Sequence, residues 1–292
     1  MKRVLIAVAI LVAGFAATAS AQPPAVVPAP AVTLAPAEAQ RIFSDLLQRF
    51  FAAYARKDIE GMTTLYHMGG PARFRRNSVL VEFDLRQVEI GGLAVKNAGA
   101  DAGGGRARAV VDLKVTEAKT KKVWNERRVR DFTFLPDDTG AWKIWNEVSP
   151  AGELARRLLA APAAERDALI TSQPELSSND TLTGLIAEAG RLQQQRRYDA
   201  VLDALGLQVR LARTLGDVDS EGRGLIQTGS LQMLTGGFPE AREAFAAARV
   251  AFAALGNRGE VAACDANLAN LAYMQGRFAE AAENYQKAYE VF

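Results

Sequence analysis

The stretch MLTGGFPEAREAF (Met233–Phe245) returns forty residues later as YMQGRFAEAAENY (Tyr273–Tyr285). A phrase restated at fixed spacing without a gap demands a repeated structural unit. Each copy must stack on the next, because one helix pair cannot bury its apolar face alone. At that shift Ala189, Gly229 and Ala269 coincide, as do Tyr198, Phe238 and Phe278. Val201, Ala241 and Ala281 also coincide, and so do Leu205, Phe245 and Tyr285. The small residues let two helices approach closely. Gly236-Gly237 and Gly276 open a tight turn just before the aromatic residue, and Gly216 and Gly256 supply left-handed helix caps. Residues 179–292 therefore predict a stack of helical hairpins. In the first copy Arg196 takes the glycine position and Val201 the alanine position, as befits a less regular terminal unit.

The small residue, the Gly-x-aromatic turn and the Ala, aromatic, Ala series resemble a tetratricopeptide repeat. The usual period is about 34, so forty implies longer helices. The resemblance implies an all-α solenoid whose concave groove takes a protein or peptide. Its groove positions would be Arg223, Ile226, Gln227, Ser230 and Met233, then Ala266, Asn267, Asn270, Tyr273 and Met274. Amide and hydroxyl groups there suit a peptide backbone or a terminal carboxylate; alternatively Asn267 and Asn270 simply face water. The array is similar to those preceding a caspase-like CHAT protease domain in bacteria, so the chain would be the non-catalytic part of a longer protein. Phe292 aligns with Phe252, before the matching Leu-Gly stop. On that reading the last repeat is incomplete, and the open end either continues in a longer chain or stacks on another copy.

At the other end, Lys2 and Arg3 precede the apolar run Val4–Phe15, and Ala19-Ser20-Ala21 fits a small-x-small cleavage site. This reads as a signal peptide cut after Ala21, placing the protein in the periplasm or outside the cell. The alternative, an uncleaved anchor, is disfavoured because the run falls short of the ~20 residues a spanning helix needs. Residues 22–37 form a Pro/Ala-rich linker. Without Lys2 and Arg3 the chain has 33 basic and 33 acidic residues, from 35 and 33 in the whole sequence. Such a balance gives no general attraction to nucleic acid or an anionic membrane. Arg73, Arg75 and Arg76, and Arg127, Arg128 and Arg130, form local basic clusters. On strands these read as a solvated face, or as a site for an anionic partner.

Residues 38–149 predict a domain of another kind. Phe43, Leu46, Leu47, Phe50, Phe51 and Tyr54 fall at helical spacing, and Asp58 is placed to cap a second short helix. The period then changes to two. Val79, Val81, Phe83 and Leu85 predict a strand, as do Ala107, Ala109, Val111, Leu113 and Val115, each with one wet face. VWNERRVRDFTFLP and GAWKIWNEV add two more strands, joined by a PDDTG turn. AGADAGGG (98–105) reads as a flexible loop, and Ser149 as the cap of a connecting helical region over 150–178. Helices followed by antiparallel strands make an α+β layout. The aromatic first helix and the closing Gly-x-Trp-x-Ile resemble the NTF2-like (SnoaL-like) superfamily. That resemblance implies a curved sheet wrapped around helices, a pocket for a small apolar ligand, and dimerisation through the sheet. Tyr66, His67 and Trp142 are the pocket residues it suggests.

The chain is poor in catalytic signals. One His and one Cys build no zinc site of the usual kind, and no nucleophile elbow or phosphate loop is present. No cofactor is indicated. If the pocket were catalytic, His67 would work with Tyr66, Glu82, Asp84 or Asp112. As the last residue of a helix, His67 equally suits the helix dipole. Cys264, in an Ala-rich helix, reads as a small core residue, with a reactive thiol as the alternative. The function expected is that of an interaction scaffold; the alternative is a small-molecule pocket in the N-terminal domain.

Overall fold

The computed structural model describes residues 33–70 and 82–291. The expected signal peptide, most of the expected linker, Arg73, Arg75, Arg76, Val79, Val81 and Phe292 lie outside the described residues. Helix α1 (Pro36–Ala55) buries its apolar stripe from Phe43 to Tyr54. Lys57, at φ 59°, turns the chain, and the Asp58 N–H returns to the Ala53 carbonyl at 2.9 Å. Asp58 Oδ1 then accepts from the Gly61 N–H at 2.7 Å and starts α2 (Ile59–Leu65).

Four antiparallel strands follow in chain order: β1 (Arg86–Asp101), β2 (Gly104–Glu117), β3 (Val123–Pro136) and β4 (Trp142–Val148). Helix α1 lies on one face. Phe43 stacks on Phe134 at 4.2 Å and meets Trp142 edge-on at 5.4 Å. Ala107, Ala109, Val111, Leu113 and Val115 are the buried side of β2, as their alternation requires. Two local expectations are corrected. Residues 82–85 are a helical turn, not a strand, because Glu82 reaches Arg128 while its neighbour Phe83 packs on Tyr54. Consecutive strand residues could not both point inward. The 98–105 stretch is strand on both sides of a tight turn. Gly104 adopts φ 116°, and Asp101 Oδ1 accepts from the Gly103 N–H at 2.8 Å. Gly105 is required by the Phe43 ring, which a Cβ would meet at 2.3 Å.

The other face of the sheet is wet only in part: Arg106 and Lys114 are exposed, but its middle is covered. Val110 and Val129 share one core with Leu154, Leu158, Leu182, Leu185, Leu207 and Leu211 from the helical half. Around them Arg108 pairs with Asp131 at 2.7 Å and Glu153 at 2.8 Å, and Lys96 with Glu175 at 2.9 Å. This part of the face, expected to be solvated and free for a second copy, is therefore occupied within the chain. Arg127, Arg128 and Arg130 each have carboxylate partners, Asp112, Glu82 with Glu126, and Asp180, so they form no free basic patch.

The helical half comprises α3 (Ala151–Ala160), α4 (Arg166–Ser172), α5 (Asn179–Gln194), α6 (Tyr198–Leu215), α7 (Val218–Thr235), α8 (Phe238–Ala254), α9 (Arg258–Met274) and α10 (Phe278–Tyr289). The residue directly before α3 is Pro150 rather than Ser149, whose hydroxyl accepts from the Ala151 N–H at 3.3 Å and donates to Asp180 at 2.5 Å. From α7 onward every helix starts twenty residues after the last, and each packs on its sequence neighbours. The residues in left-handed conformation mark the same rhythm: Arg196, Gly216, Gly236, Gly256 and Gly276. In each turn the next N–H bonds back five residues, Arg197 to Leu192, Asp217 to Ala212, Gly237 to Gln232, Asn257 to Phe252 and Arg277 to Ala272. This is the Schellman closure. The physical unit is thus one helix and one turn; the forty-residue sequence period arises because alternate helices differ. Ser178, Asp217 and Asn257 cap alternate helices through their side chains, while Arg197, Gly237 and Arg277 do not.

Arg196 holds at φ 57° what glycine holds elsewhere. A left-handed residue with a Cβ costs about 1–2 kcal/mol, partly offset by glycine's greater unfolded entropy. Arg196→Gly should therefore stabilise the chain by about 0.5–1 kcal/mol. A urea midpoint that falls or stays fixed would contradict this. No helix among the described residues is long and apolar enough to cross a membrane.

Candidate functional sites

Two places gather functional side chains. The first is the surface of alternate helices. Arg223 on α7 pairs with Asp219 of its own helix at 2.8 Å and with Glu260 of α9 at 3.3 Å. On the other layer, Arg242 of α8 meets Glu280 of α10 at 2.8 Å. Helices α7 and α9 therefore lie side by side in one layer, and α8 and α10 in the other. Arg223, Gln227 and Ser230 are exposed at i, i+4 and i+7 along α7, while Asn267 on α9 is half-buried.

Of the remaining groove positions, Asn270, Tyr273 and Met274 are exposed and Ala266 is half-buried, whereas two others turn inward. Met233 and Ile226 turn into the hairpin core with Phe238, Phe245 and Leu271. Asn270 Oδ1 accepts from the Tyr285 hydroxyl of α10 at 2.6 Å, and Tyr273 rests edge-on against Phe278 at 5.5 Å. Both are tied to the last hairpin. Cys264 is fully buried between α9 and α8, and burial, then Glu260 and Asp265, pushes its thiol up to about 12. It stays protonated and unreactive at neutral pH.

The second place is a cavity of about 260 Å³ between α1, α2 and the sheet. Phe50, Phe51, Met62, Tyr66, Val111 and Leu113 supply its apolar wall. Its polar wall centres on Arg128, which donates to the Tyr54 hydroxyl at 3.1 Å, to Glu82 at 2.7 Å and to Glu126 at 2.8 Å. Burial alone would lift the Glu82 carboxyl. The hydrogen bond and charge of Arg128 outweigh it and hold the group below its ordinary range. Burial also pushes Tyr54 up to about 12, only partly opposed by Arg128.

Of the residues expected in a pocket, Tyr66 lines the cavity. His67 stands outside its lining, edge-on to Trp145 at 5.3 Å, with Nδ1 accepting from the Gly69 N–H at 3.1 Å. Trp142 packs on Phe43, also away from the lining. Asp84 is exposed, and Asp112 lies on the opposite sheet face with Arg127 at 2.6 Å. His67 and these carboxylates therefore do not converge. Tyr54 was expected only in the apolar stripe of the first helix and Arg128 only in a basic cluster on a strand, although a signal for the cavity existed. Glu126, Arg128 and Arg130 share the parity of the buried Phe132 and Phe134, so charge was written at inward positions of β3.

The raised Tyr54 value carries a pH prediction. Between pH 10 and about 12 the folded state keeps a proton that the unfolded state releases. Stability is present below pH 10 and is lost as pH rises through that window, by roughly 2 kcal/mol. Tyr54→Phe should flatten this alkaline limb in urea titrations; an unchanged slope would contradict the assignment.

Neither the protein-family models nor the curated proteins contain a match to this chain.

Proposed function

We propose that this is an exported, non-enzymatic docking protein, a tetratricopeptide-type stack that takes a peptide or protein on the layer formed by α7 and α9. The observation that carries this reading is the Arg223–Glu260 bridge, which sets α7 beside α9 and aligns Arg223, Gln227 and Ser230 on one accessible stripe. A guanidinium, an amide and a hydroxyl in a row can bind backbone carbonyls or a terminal carboxylate. The small residues Ala189, Gly229 and Ala269 are buried, Gly229 against the Phe245 ring, and so take no part in the exposed stripe. The leader-like stretch ending at Ala19-Ser20-Ala21 supports export.

The test is selection of a peptide from a displayed library on the immobilised protein. Gln227→Arg combined with Ser230→Glu should weaken the selected peptide at least about tenfold, a loss near 1.4 kcal/mol. Tyr54→Phe should leave it unchanged. Undiminished binding by the α7 variant would overturn the reading.

The cavity supports a second reading, an NTF2-like pocket holding a small, largely apolar molecule with one hydrogen-bonding end. Val111→Phe, which fills the apolar wall, should abolish any thermal shift produced by such a ligand. A shift that survives would place the ligand elsewhere.

A further inference from the structure

Strand β3 has two edges, and the second is used unevenly. Its even residues face β2: the Lys122 carbonyl accepts from the Glu117 N–H at 2.9 Å, and the β2–β3 register continues unbroken from that pair. Alternation then points the backbone groups of the odd residues away from β2. Asp131 and Thr133 spend theirs on β4, whose pairing with β3 ends at Asp131. The next two are met by side chains at the start of α5. The Val129 N–H donates to Asp180 Oδ2 at 2.7 Å, and the Arg127 N–H to Asn179 Oδ1 at 2.8 Å. Asn125 and Val123 continue the series, both exposed, with no such partner among the described residues.

This remaining edge borders a cleft of about 560 Å³ whose far wall is the turn end of the helix stack. Val123, 52% exposed, and Leu255, 37% exposed, face it together with Val218. Its charged lining is Glu117, Asp217 and Asp219 against Lys122; Asp219 also meets Arg223 and Asp217 caps α7, so the excess of acid is modest. An edge with unmet N–H and C=O groups is a template for another strand. In this case apolar and acidic walls add selectivity for side chains.

We propose that residues 123–127 of β3 receive an extended peptide by strand addition. The site touches the α7–α9 layer only at the first turn of α7, where Asp219 also pairs with Arg223, and it does not depend on the reading given above. The edge spans about 13 Å and offers two N–H groups, of Val123 and Asn125, and three carbonyls, including that of Arg127. An antiparallel guest of five residues matches it when residues 1, 3 and 5 each bring an N–H, so none of them is proline. Side chains of directly paired residues share a face. Residues 1, 3 and 5 therefore point at Val218, Leu255 and the carboxylates, and they are aliphatic or cationic.

The test uses the full chain and a panel of capped pentapeptides with Val or Lys at positions 1, 3 and 5 and Thr at 2 and 4. Amide exchange at Val123 and Asn125 should slow at least about tenfold with the Val/Lys members. Methylating the amide nitrogen of residue 3 should remove the effect. Asn125→Pro deletes one outward N–H without touching the β2 ladder and should remove it too. Val123→Lys, which keeps the backbone intact, should weaken Lys-bearing members most; urea midpoints of both variants report that the fold is retained. Unprotected amides with every panel member, or equal protection by the methylated peptide, would overturn the proposal. Protection of the same amides without peptide, accompanied by dimerisation in sedimentation, would assign the edge to a second copy instead.

Discussion

Gly184→Ala is expected to cost at least about 3 kcal/mol, although alanine is the better helix former. The added Cβ would stand 2.0 Å from the Ala151 carbonyl oxygen and 2.9 Å from the Ala155 Cβ. The first obstacle is backbone of α3, which cannot rotate aside as a side chain can. Helices α3 and α5 would have to separate, opening the core that Leu154, Leu158 and Leu185 share with Val110 and Val129 of the sheet. Set against a typical total of 5–15 kcal/mol, this is a large fraction. The control is the same substitution at Gly190 or Gly206, helical glycines with nothing within 4 Å of an added Cβ. There alanine should stabilise by about 1 kcal/mol. Urea midpoints moving in opposite directions for Gly184 and Gly206 would support the packing argument. A neutral Gly184→Ala would mean that α3 and α5 do not cross so closely.

Asp180→Ala comes second, at about 3 kcal/mol. One carboxylate accepts from the Val129 backbone, the Arg130 guanidinium and the Ser149 hydroxyl. Its removal leaves a buried strand N–H unmet and a guanidinium without its partner. Arg130 is a quarter exposed, and water therefore recovers part of that loss. Asp180→Asn keeps an acceptor for Val129 but no charge for Arg130, and should fall roughly midway. The substitution should also loosen the two halves from each other. All three tryptophans, Trp124, Trp142 and Trp145, lie in β3 and β4, whereas helical circular dichroism is dominated by the C-terminal half. In the parent chain the two signals should unfold together. In Asp180→Ala the helical signal and the fluorescence should separate, since coincident transitions require the halves to remain coupled. Coincident curves in the variant would remove Asp180 from that role.

The readings that failed share a cause. The Val79–Leu85 alternation is a fair strand signal, but its second half is drawn into a helical turn by Arg128 and Tyr54, residues far away in sequence. The outer sheet face shows the polar alternation of a wet surface, yet its Arg and Asp residues are engaged in cross-strand and inter-element pairs. Met233 fits the groove pattern by position, but a flexible apolar side chain one turn from Phe238 gains more from the hairpin core than from solvent. His67 was the only histidine to nominate, and scarcity alone could not place it near a carboxylate.

Within the helical half, the amino-acid sequence by itself determined where the chain turns and which helices pair. A left-handed cap, a capping carboxamide or carboxylate, and a small residue at a close approach are satisfied within one turn or one hairpin, so their signals are local. Only the tertiary structure decided that the hairpins stand against the back of the sheet, that Asp180 and Asn179 close part of the β3 edge, and that Tyr54 and Arg128 meet inside. Those contacts join residues about fifty or more apart. Burial and ion pairing across such distances depend on which surfaces remain uncovered once the local units have formed.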